Sequence, residues 1–260
     1  MGIINATPDS FSGDGFSCNV GKALERAAEM VKRGADIIDV GGESTRPNAL
    51  PVSLEEEIKR VIPLIKELSQ TIDKPISIDT YKSVVAAKAL DAGARIINDV
   101  SGLQADKDMV NVAAANKAPV VLMHMKGTPR DMQVNPVYKD VVAEIIVFFK
   151  NRIDWSVNMG IDKQNIIVDP GIGFGKTVKH NLEILNRLDE FKVIGRPLMV
   201  GVSRKSFINK ILHESASKGL LGSLAAIAVA VSRGANIVRV HDVKETAEIV
   251  KMCDAIKNSG

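Results

Sequence analysis

The chain has 260 residues, 45% of them hydrophobic and 25% charged, which suits one sizeable core and leaves no room for a second full domain. Its 34 basic and 31 acidic residues give a net charge of +3, so no overall field marks it for nucleic acid or a membrane surface. The two cysteines lack metal-type spacing, which indicates a reducing compartment. Because no segment resembles a signal peptide or is long enough to span a bilayer, we expect a cytoplasmic protein.

Short apolar runs alternate along the chain with longer stretches in which apolar residues recur at helical spacing. The short runs predict eight strands, at residues 2–5, 36–40, 75–79, 95–99, 119–124, 165–169, 197–201 and 236–241. The longer stretches predict helices, at about residues 20–33, 54–70, 82–92, 106–116, 137–159, 179–188, 217–233 and 244–257. Strands of near-continuous Ile and Val are typical of a parallel sheet covered by helices. We therefore predict an α/β fold, a single-domain (β/α)8 TIM barrel over residues 1–260, with an open doubly wound sheet as the alternative.

Two local signals support the predicted helix boundaries. Ser53 and Glu56 have the spacing of a capping box at the start of the second helix. A Gly-Ala pair precedes three of the predicted strands, as expected where a helix ends in a left-handed glycine. These pairs begin at Gly34, Gly93 and Gly234.

Polar side chains end or follow each of the eight predicted strands. In a TIM barrel the loops after the strands carry the active site, so these residues are the candidates for function. They are Asn5, residues 41–47, Asp79, Asn98, Asp99, His124, Asp169, residues 203–205 and residues 239–241. Capping of the following helix is an alternative role for Asp79. Because buried carboxylates and amides are costly without partners, a ligand at one barrel mouth explains the whole set better.

The residue types indicate what such a ligand contains. Asp79, Asn98 and Asp169 offer two carboxylates and an amide to a flat heterocycle with several N–H donors, such as an amino-pyrimidinone edge. Other residues offer positive charge or donors to an anionic group, namely Arg46, Lys205, Arg239 and His241. The sequence therefore predicts a site divided between a ring and a phosphate.

Long loops are expected at two places on the same face, residues 6–19 and 41–52, and loops of this kind are usually mobile and contact substrate. Two roles stay open for Phe11 and Phe16 in the first loop. We expect them either to contact substrate or to pack against their own loop. The glycine-rich segment 171–176 lacks the spacing of a nucleotide-binding P-loop, so it is a weak nucleotide motif.

Nine segments of the chain form an ordered series. They read MGIINATPDSFSGDG, GADIIDVGGESTRP, PISIDTYKS, IINDVSG, VLMHMKGTPRDMQ, IIVDPGIGFGKT, PLMVGVSRKSF, GSLAAIA and IVRVHDV. In this order and spacing they resemble the dihydropteroate synthase family of the folate pathway along essentially the whole chain. The resemblance implies a transferase that condenses 6-hydroxymethyl-7,8-dihydropterin diphosphate with p-aminobenzoate through an SN1-like pterin cation. It also implies Mg2+ bound to the diphosphate.

The resemblance also implies a role for each candidate residue. The pterin would contact Asp79, Asn98, Met123, Asp169, Phe174, Gly201, Lys205 and Arg239. The diphosphate would be held by Asn5, Thr45, Arg46, Arg239 and His241, with Asn5 also helping to place the magnesium. The p-aminobenzoate site would be bordered by Phe11, Arg46, Pro47, Ser203 and Lys205, where sulfonamides would compete. The residues expected to act in catalysis are Asp79, Asp169, Lys205, Arg239 and His241.

Two other functions stay open at this point. A corrinoid-dependent methyltransferase acting on methyltetrahydrofolate uses a similar barrel and pterin site, but it needs no residues for a diphosphate. A non-catalytic pterin-binding paralogue would be expected to lack Asn5, Arg46 or Lys205, and all three are present. Family resemblance further suggests a homodimer.

Overall fold

The structure is a computed structural model that describes residues 1–6, 20–44, 49–128, 131–213 and 219–259. The strands in these ranges are β1 (Gly2–Asn5), β2 (Ile38–Gly41), β3 (Ile76–Asp79), β4 (Ile96–Asp99), β5 (Val120–Met123), β6 (Ile166–Asp169), β7 (Met199–Val200) and β8 (Ile237–Val238). The α-helices are α1 (Val20–Lys32), α2 (Leu54–Thr71), α3 (Ser83–Asp91), α4 (Met109–Ala115), α5 (Val141–Asn158), α6 (Val178–Asn186), α7 (Ser206–Leu212), α8 (Leu220–Ser232) and α9 (Val243–Lys257). Short 3-10 helices cover Lys163–Asn165 and Leu188–Ile194.

The strands form a closed parallel ring. β1 to β6 pair in chain order as one sheet, and β7 pairs with β8. A bridge between Val168 and Leu198 joins β6 to the β7 segment, and a bridge between Val240 and Gly2 returns the chain to β1. The predicted TIM barrel is confirmed, and the open sheet is wrong because the last strand segment meets the first.

Side chains alternate along each strand between the surrounding helices and the barrel interior. Ile38 and Val40 of β2 belong to the main core between strands and helices, whereas Asp39 between them lies among interior residues. Ile96, Val121 and Met199 form a separate apolar cluster of buried residues. Asp39, Ser77 and Asn98 of the strands are also buried. The barrel interior therefore combines an apolar layer with a polar one.

The helix boundaries follow local signals, some of them missed in the sequence. The Gly-Ala prediction is confirmed, since Gly34, Gly93 and Gly234 have φ of 101°, 112° and 104°. The capping box is half right: Ser53 Oγ accepts from the Glu56 N–H at 3.2 Å, but the Glu56 carboxylate pairs with Arg60.

Several elements differ from the predicted pattern, and the last two strands are shorter than expected, at Met199–Val200 and Ile237–Val238. Helix α5 begins at Val141 rather than residue 137 because Asp140 caps it, accepting from the Ala143 N–H at 2.9 Å. Helix α7 was not predicted, since a seven-residue helix shows too little periodicity to be recognised. No helix in the described ranges has the length and apolar character needed to cross a membrane.

An aromatic cluster at α5 helps to hold the helices on the barrel, and a substitution within it tests this packing. Phe149 is fully buried and packs edge-on against Phe148 and Phe191, with ring centres 5.5 and 6.3 Å away. We expect Phe149→Ala to lower the free energy of unfolding by about 3–5 kcal/mol, measured by urea denaturation, because the cavity cannot fully collapse. Val147→Ala on the same helix is the control, since Val147 is 56% exposed. Similar losses in both variants would contradict this packing.

Candidate active site

A partly buried arginine between two carboxylates lies at the centre of the barrel mouth. Arg239 Nε donates to Asp39 Oδ2 at 2.6 Å, and Arg239 Nη2 donates to Asp79 Oδ2 at 2.6 Å. Asn98 Nδ2 also donates to Asp39 Oδ2, at 3.2 Å. Since these residues belong to β2, β3, β4 and the segment following β8, the network joins the two ends of the sheet across the interior.

Burial and charge oppose each other in this network. Burial raises the pKa of the Asp79 carboxyl to about 7; attraction by Arg239 lowers it, and the nearby negative charge of Asp39 raises it further. Burial disfavours the charge on Arg239, but attraction by Asp39 and Asp79 raises the pKa of this guanidinium. The arginine is therefore a permanent cation, while Asp79 can gain or lose a proton near neutral pH.

The opposite wall of the mouth contains Asp169, Phe174 and Lys205. Asp169 Oδ1 accepts from the Gly171 N–H at 2.7 Å, and Lys205 Nζ lies 4.1 Å from the centre of the Phe174 ring. Burial raises the pKa of Asp169, an effect reduced by the Gly171 N–H and by the charge of Lys205. Burial lowers the pKa of Lys205 to about 8, against the attraction of Asp169. The wall thus offers a carboxylate, a cation and an aromatic face to a ligand.

Only part of the 203–205 segment joins the site. Ser203 Oγ accepts from the His241 N–H at 3.2 Å and lies 3.1 Å from His241 Nδ1. Arg204 has a left-handed φ of 57° and pairs with Asp242, its Nη2 2.5 Å from Asp242 Oδ1. The run of three polar residues is thus divided, with Ser203 next to His241, Lys205 next to Phe174, and Arg204 paired outside this set.

Strand register explains why several predicted residues come together. Asn5 is the register partner of Gly41, Gly41 of Asp79, and Asp79 of Asn98. Met123 and Asp169 are partners on the next pair of strands. Because parallel strands end at the same level, these side chains surround one opening. The predicted residues Thr45, Arg46, Pro47, Phe11 and Phe16 lie outside the described residues, as do parts of both predicted mobile loops.

Two of the polar strand ends have structural partners instead. The Asp99 carboxylate accepts from the N–H groups of Ser101 and Leu103, at 2.7 and 2.9 Å, and so closes a turn. His124 packs edge-on against Phe148 and lies 3.0 Å from Lys176 Nζ. The prediction that these two line the mouth is wrong, because neighbouring residues of one strand face opposite sides of the sheet.

Helix capping does not account for Asp79. The Ser83 N–H at the start of α3 donates to Asp106 Oδ2 at 2.7 Å, and the Lys82 N–H donates to Thr80 Oγ1 at 3.2 Å. Asp79 instead pairs with Arg239. The alternative role of Asp79 as a helix cap is therefore wrong. The Asp79 carboxylate is stabilised by the positive charge of Arg239 instead.

Comparison with known proteins places the chain in a family. The model for the family described as pterin binding enzyme matches residues 1–241. A dihydropteroate synthase from Synechocystis is 48% identical, over 98% of this chain and 89% of its own length. The chain belongs to the dihydropteroate synthase family. It is an enzyme, a transferase, and the resemblance found in the sequence is confirmed.

Solved structures of this family share the fold closely. Yersinia pestis dihydropteroate synthase in a sulfonamide drug complex has a TM-score of 0.95 and 43% identity, covering 99% of this chain and 94% of that one. Xanthomonas albilineans dihydropteroate synthase with 4-aminobenzoic acid has a TM-score of 0.93 and 41% identity, covering 100% of this chain and 93% of that one. The barrel described above is the fold of these relatives.

Asp39 is the residue of the site that the sequence analysis missed. Its side chain is fully buried, and its second oxygen, Oδ1, has no hydrogen-bond partner among the described residues. A charged residue inside an Ile- and Val-rich strand is itself a signal, because charges are rarely buried without a partner. The partner, Arg239, lies 200 positions away along the chain, so the sequence could not identify it.

A second, partly buried cluster lies at the base of the 41–52 loop. Lys82 Nζ donates to Glu43 Oε2 at 2.6 Å, to Glu57 Oε2 at 2.5 Å and to the Val52 carbonyl at 2.7 Å. The Tyr81 hydroxyl donates to Glu43 Oε1 at 2.8 Å. The described ends of this loop are therefore fixed to the start of α3 and to α2.

The donor set for a metal is sparse. No group of three or more His, Cys, Asp or Glu side chains within the described residues could hold a metal ion. Magnesium usually keeps several waters and binds through one or two protein oxygens together with substrate phosphates. The amide oxygen of Asn5, at the end of β1, fits a magnesium ion that arrives with a diphosphate.

The charge network makes a direct prediction for Asp39→Asn. Removing the negative charge of Asp39 should allow Asp79 to ionise more easily, so the pKa of Asp79 should fall below its value of about 7. Carbon-13 NMR titration of the aspartate carboxyl groups, with the Asp79 signal assigned by Asp79→Asn, measures this shift. Asp36→Asn is the control, because Asp36 is exposed. An unchanged or raised pKa of Asp79 would show that the network does not act as described.

Proposed function

We propose that this protein condenses 6-hydroxymethyl-7,8-dihydropterin diphosphate with p-aminobenzoate to give 7,8-dihydropteroate and pyrophosphate. The observation that carries this proposal is the convergence of two buried carboxylates, Asp79 and Asp169, with Lys205 and Arg239 at one barrel mouth. Membership of the dihydropteroate synthase family supports the same reaction.

The pterin ring fits the deep part of the mouth. Asp79 and Asp169 would accept hydrogen bonds from the ring N–H groups, and Asn98 would complete this polar edge. Phe174 and Met123 offer apolar faces. A Cβ added to Gly201 would meet only Arg239 Cβ within 4 Å, at 3.9 Å, so there is open space beside this residue. Together with Lys205 and Arg239, these residues form the proposed pterin-binding site.

The diphosphate would occupy the rim near β1 and α9. Asn5, Arg239 and His241 are the described residues of this part, and Thr45 and Arg46 complete the proposed set. Helix α9 begins two residues after His241, and helix N-termini attract anions. Bound magnesium, held by Asn5 and the diphosphate, would supply positive charge to the leaving group.

The p-aminobenzoate site would lie next to Lys205 and Ser203. Phe11, Arg46 and Pro47 would border it from the two long loops. The 4-aminobenzoic acid complex of the Xanthomonas relative and the sulfonamide complex of the Yersinia relative support binding of these two kinds of ligand. We expect sulfonamides to compete with p-aminobenzoate here.

The proposed reaction breaks one C–O bond and forms one C–N bond. The bond between the pterin methylene and the diphosphate breaks, both electrons leave with pyrophosphate, and the pterin is left as a delocalised cation. Asp79 and Asp169 would stabilise that cation, while Arg239 and His241 would stabilise the leaving group. The aniline nitrogen of p-aminobenzoate then attacks the methylene carbon and releases a proton to solvent. No side chain needs to act as a nucleophile.

Two other functions make different predictions. A corrinoid-dependent methyltransferase acting on methyltetrahydrofolate would not need the contact between Ser203 and His241 beside Arg239. A non-catalytic paralogue would bind pterin without turnover. The described part of the site favours the synthase, because Arg239 and His241 offer groups for a diphosphate beside the proposed pterin site.

A condensation assay tests the proposed function directly. Formation of 7,8-dihydropteroate from the pterin diphosphate should require both p-aminobenzoate and magnesium, and pyrophosphate should be released in at least equal amount. Failure to form 7,8-dihydropteroate would contradict the proposal, as would methyl transfer from methyltetrahydrofolate or pterin binding without turnover.

Asp79→Asn tests the stabilisation of the pterin cation. We expect kcat to fall by about a hundredfold or more, because the variant keeps the shape of the side chain but loses a preorganised charge. Circular dichroism should show an intact barrel. Asp73→Asn, a substitution at an exposed position before β3, should leave kcat unchanged. Near-normal turnover by Asp79→Asn would rule out this role.

Three further expectations stay predictions. We expect a homodimer, a cytoplasmic location and a single domain spanning residues 1–260. Gel filtration with light scattering would measure the oligomeric state.

A further inference from the structure

A lysine is buried behind the proposed pterin site. The Lys176 side chain belongs to a residue only 2% exposed. Its Nζ donates to the Phe174 carbonyl at 2.8 Å and to the His124 carbonyl at 3.3 Å, and it lies 3.0 Å from His124 Nδ1. This buried amino group has three hydrogen-bond partners, and without them a polar or charged group at this depth would be costly.

The lysine ends the glycine-rich segment, residues 171–176, which we call the glycine turn. Gly171, Gly173 and Gly175 have φ of 68°, 83° and 62°, a region that side chains rarely adopt. A Cβ at Gly171 would lie 1.9 Å from the His124 carbonyl oxygen, and one at Gly175 would lie 2.3 Å from the Lys126 carbonyl oxygen. The glycine turn is therefore pressed against the backbone that follows β5.

The other side of the glycine turn contacts residues of the site. A Cβ at Gly173 would lie 3.2 Å from Lys205 Cδ. The Phe174 ring lies beneath Lys205 Nζ, and the Gly171 N–H donates to Asp169 Oδ1. The turn thus presents an aromatic ring and a hydrogen-bond donor to the two charged groups of this wall.

The protonation states agree with this arrangement. Burial, with the charges of Lys176 and Lys126, lowers the pKa of His124 and keeps its imidazole neutral, so that Nδ1 can accept. Burial lowers the pKa of Lys176 to about 7, while the carboxylate of Asp169 favours its charge. Lys176 in turn helps to hold Asp169 ionised.

We propose that Lys176 is a positioning residue that fixes the glycine turn to the end of β5 and so sets the Phe174 and Asp169 wall for the pterin ring. Through its Phe174 carbonyl contact it holds the backbone that carries the ring. It does not touch the reacting atoms. This inference rests on the proposed function only in taking the ligand of that wall to be a pterin.

Lys176→Met tests the proposal, because it keeps the length and apolar stem of the side chain but removes the donors. We expect 6-hydroxymethyl-7,8-dihydropterin to bind about tenfold more weakly by calorimetry, because the ring would meet a wall that is no longer held in place. Magnesium pyrophosphate should bind within about twofold of wild type, because Arg239 and His241 lie on another wall. KM for the pterin diphosphate should rise more than kcat falls.

Lys179→Met is the matched control, since it makes the same change three residues along at an exposed position, and it should bind pterin as wild type does. Lys176→Gln, which keeps amide donors without the charge, should be intermediate and provides the measurement if Lys176→Met does not fold. Equal weakening of pterin and pyrophosphate would overturn the inference, because it would indicate general damage. Wild-type pterin affinity in both Lys176 variants would overturn it as well.

The failure of this inference can be told apart from failure of the proposed function. A wild-type protein that binds no pterin and releases no pyrophosphate would overturn the proposed function and this inference together. A wild-type protein that binds pterin and turns over, beside Lys176 variants with unchanged affinity, would overturn this inference alone.

Discussion

The site depends on one partly buried cation, Arg239, between two carboxylates. Arg239 contacts Asp39 and Asp79 at 2.6 Å each and joins the last strand segment to β2 and β3. Taking such charges out of water costs several kcal/mol for each ion, and the barrel offsets this cost by surrounding the arginine with hydrogen-bonded oxygens. Removal of one of these three charged groups would leave the remaining charges without full compensation. The same interaction therefore joins the last strand segment to β2 and β3 inside the barrel, and it also changes the pKa of Asp79.

On the opposite wall, Asp169 is another carboxylate that has to be stabilised away from water, and its partners are different. Asp169 is buried and is stabilised by a backbone N–H from the glycine turn and by the charges of Lys205 and Lys176. Glycines at left-handed φ allow the turn to approach the β5 backbone closely. A charged surface with one aromatic face results, and such a surface suits a polar flat heterocycle better than an apolar ligand.

Much of the fold and part of the site could be predicted from local patterns. The strand ends identified Asp79, Asn98 and Asp169 because all three follow Ile- or Val-rich runs, and parallel register then brings them to one level. The same rule failed for Asp99 and His124, since it does not say which face of the strand a terminal residue occupies. Helix α7 and the capping of α5 by Asp140 were missed because their signals are short.

By itself, the sequence determined the eight strands and the main helices that alternate with them, the barrel class, the family and the chemical types of the residues at the mouth, because periodicity and motifs are properties of neighbouring residues. Only the tertiary structure decided which charges are partners. In the sequence, Asp39 is only a charged residue within an apolar strand. The structure shows that its partner is Arg239. In the sequence, Lys176 is only the last residue of a weak nucleotide motif. In the structure, its Nζ is buried against His124 and the Phe174 carbonyl. In both cases the partner's distance in space, rather than its separation along the chain, sets the energy of a buried charge.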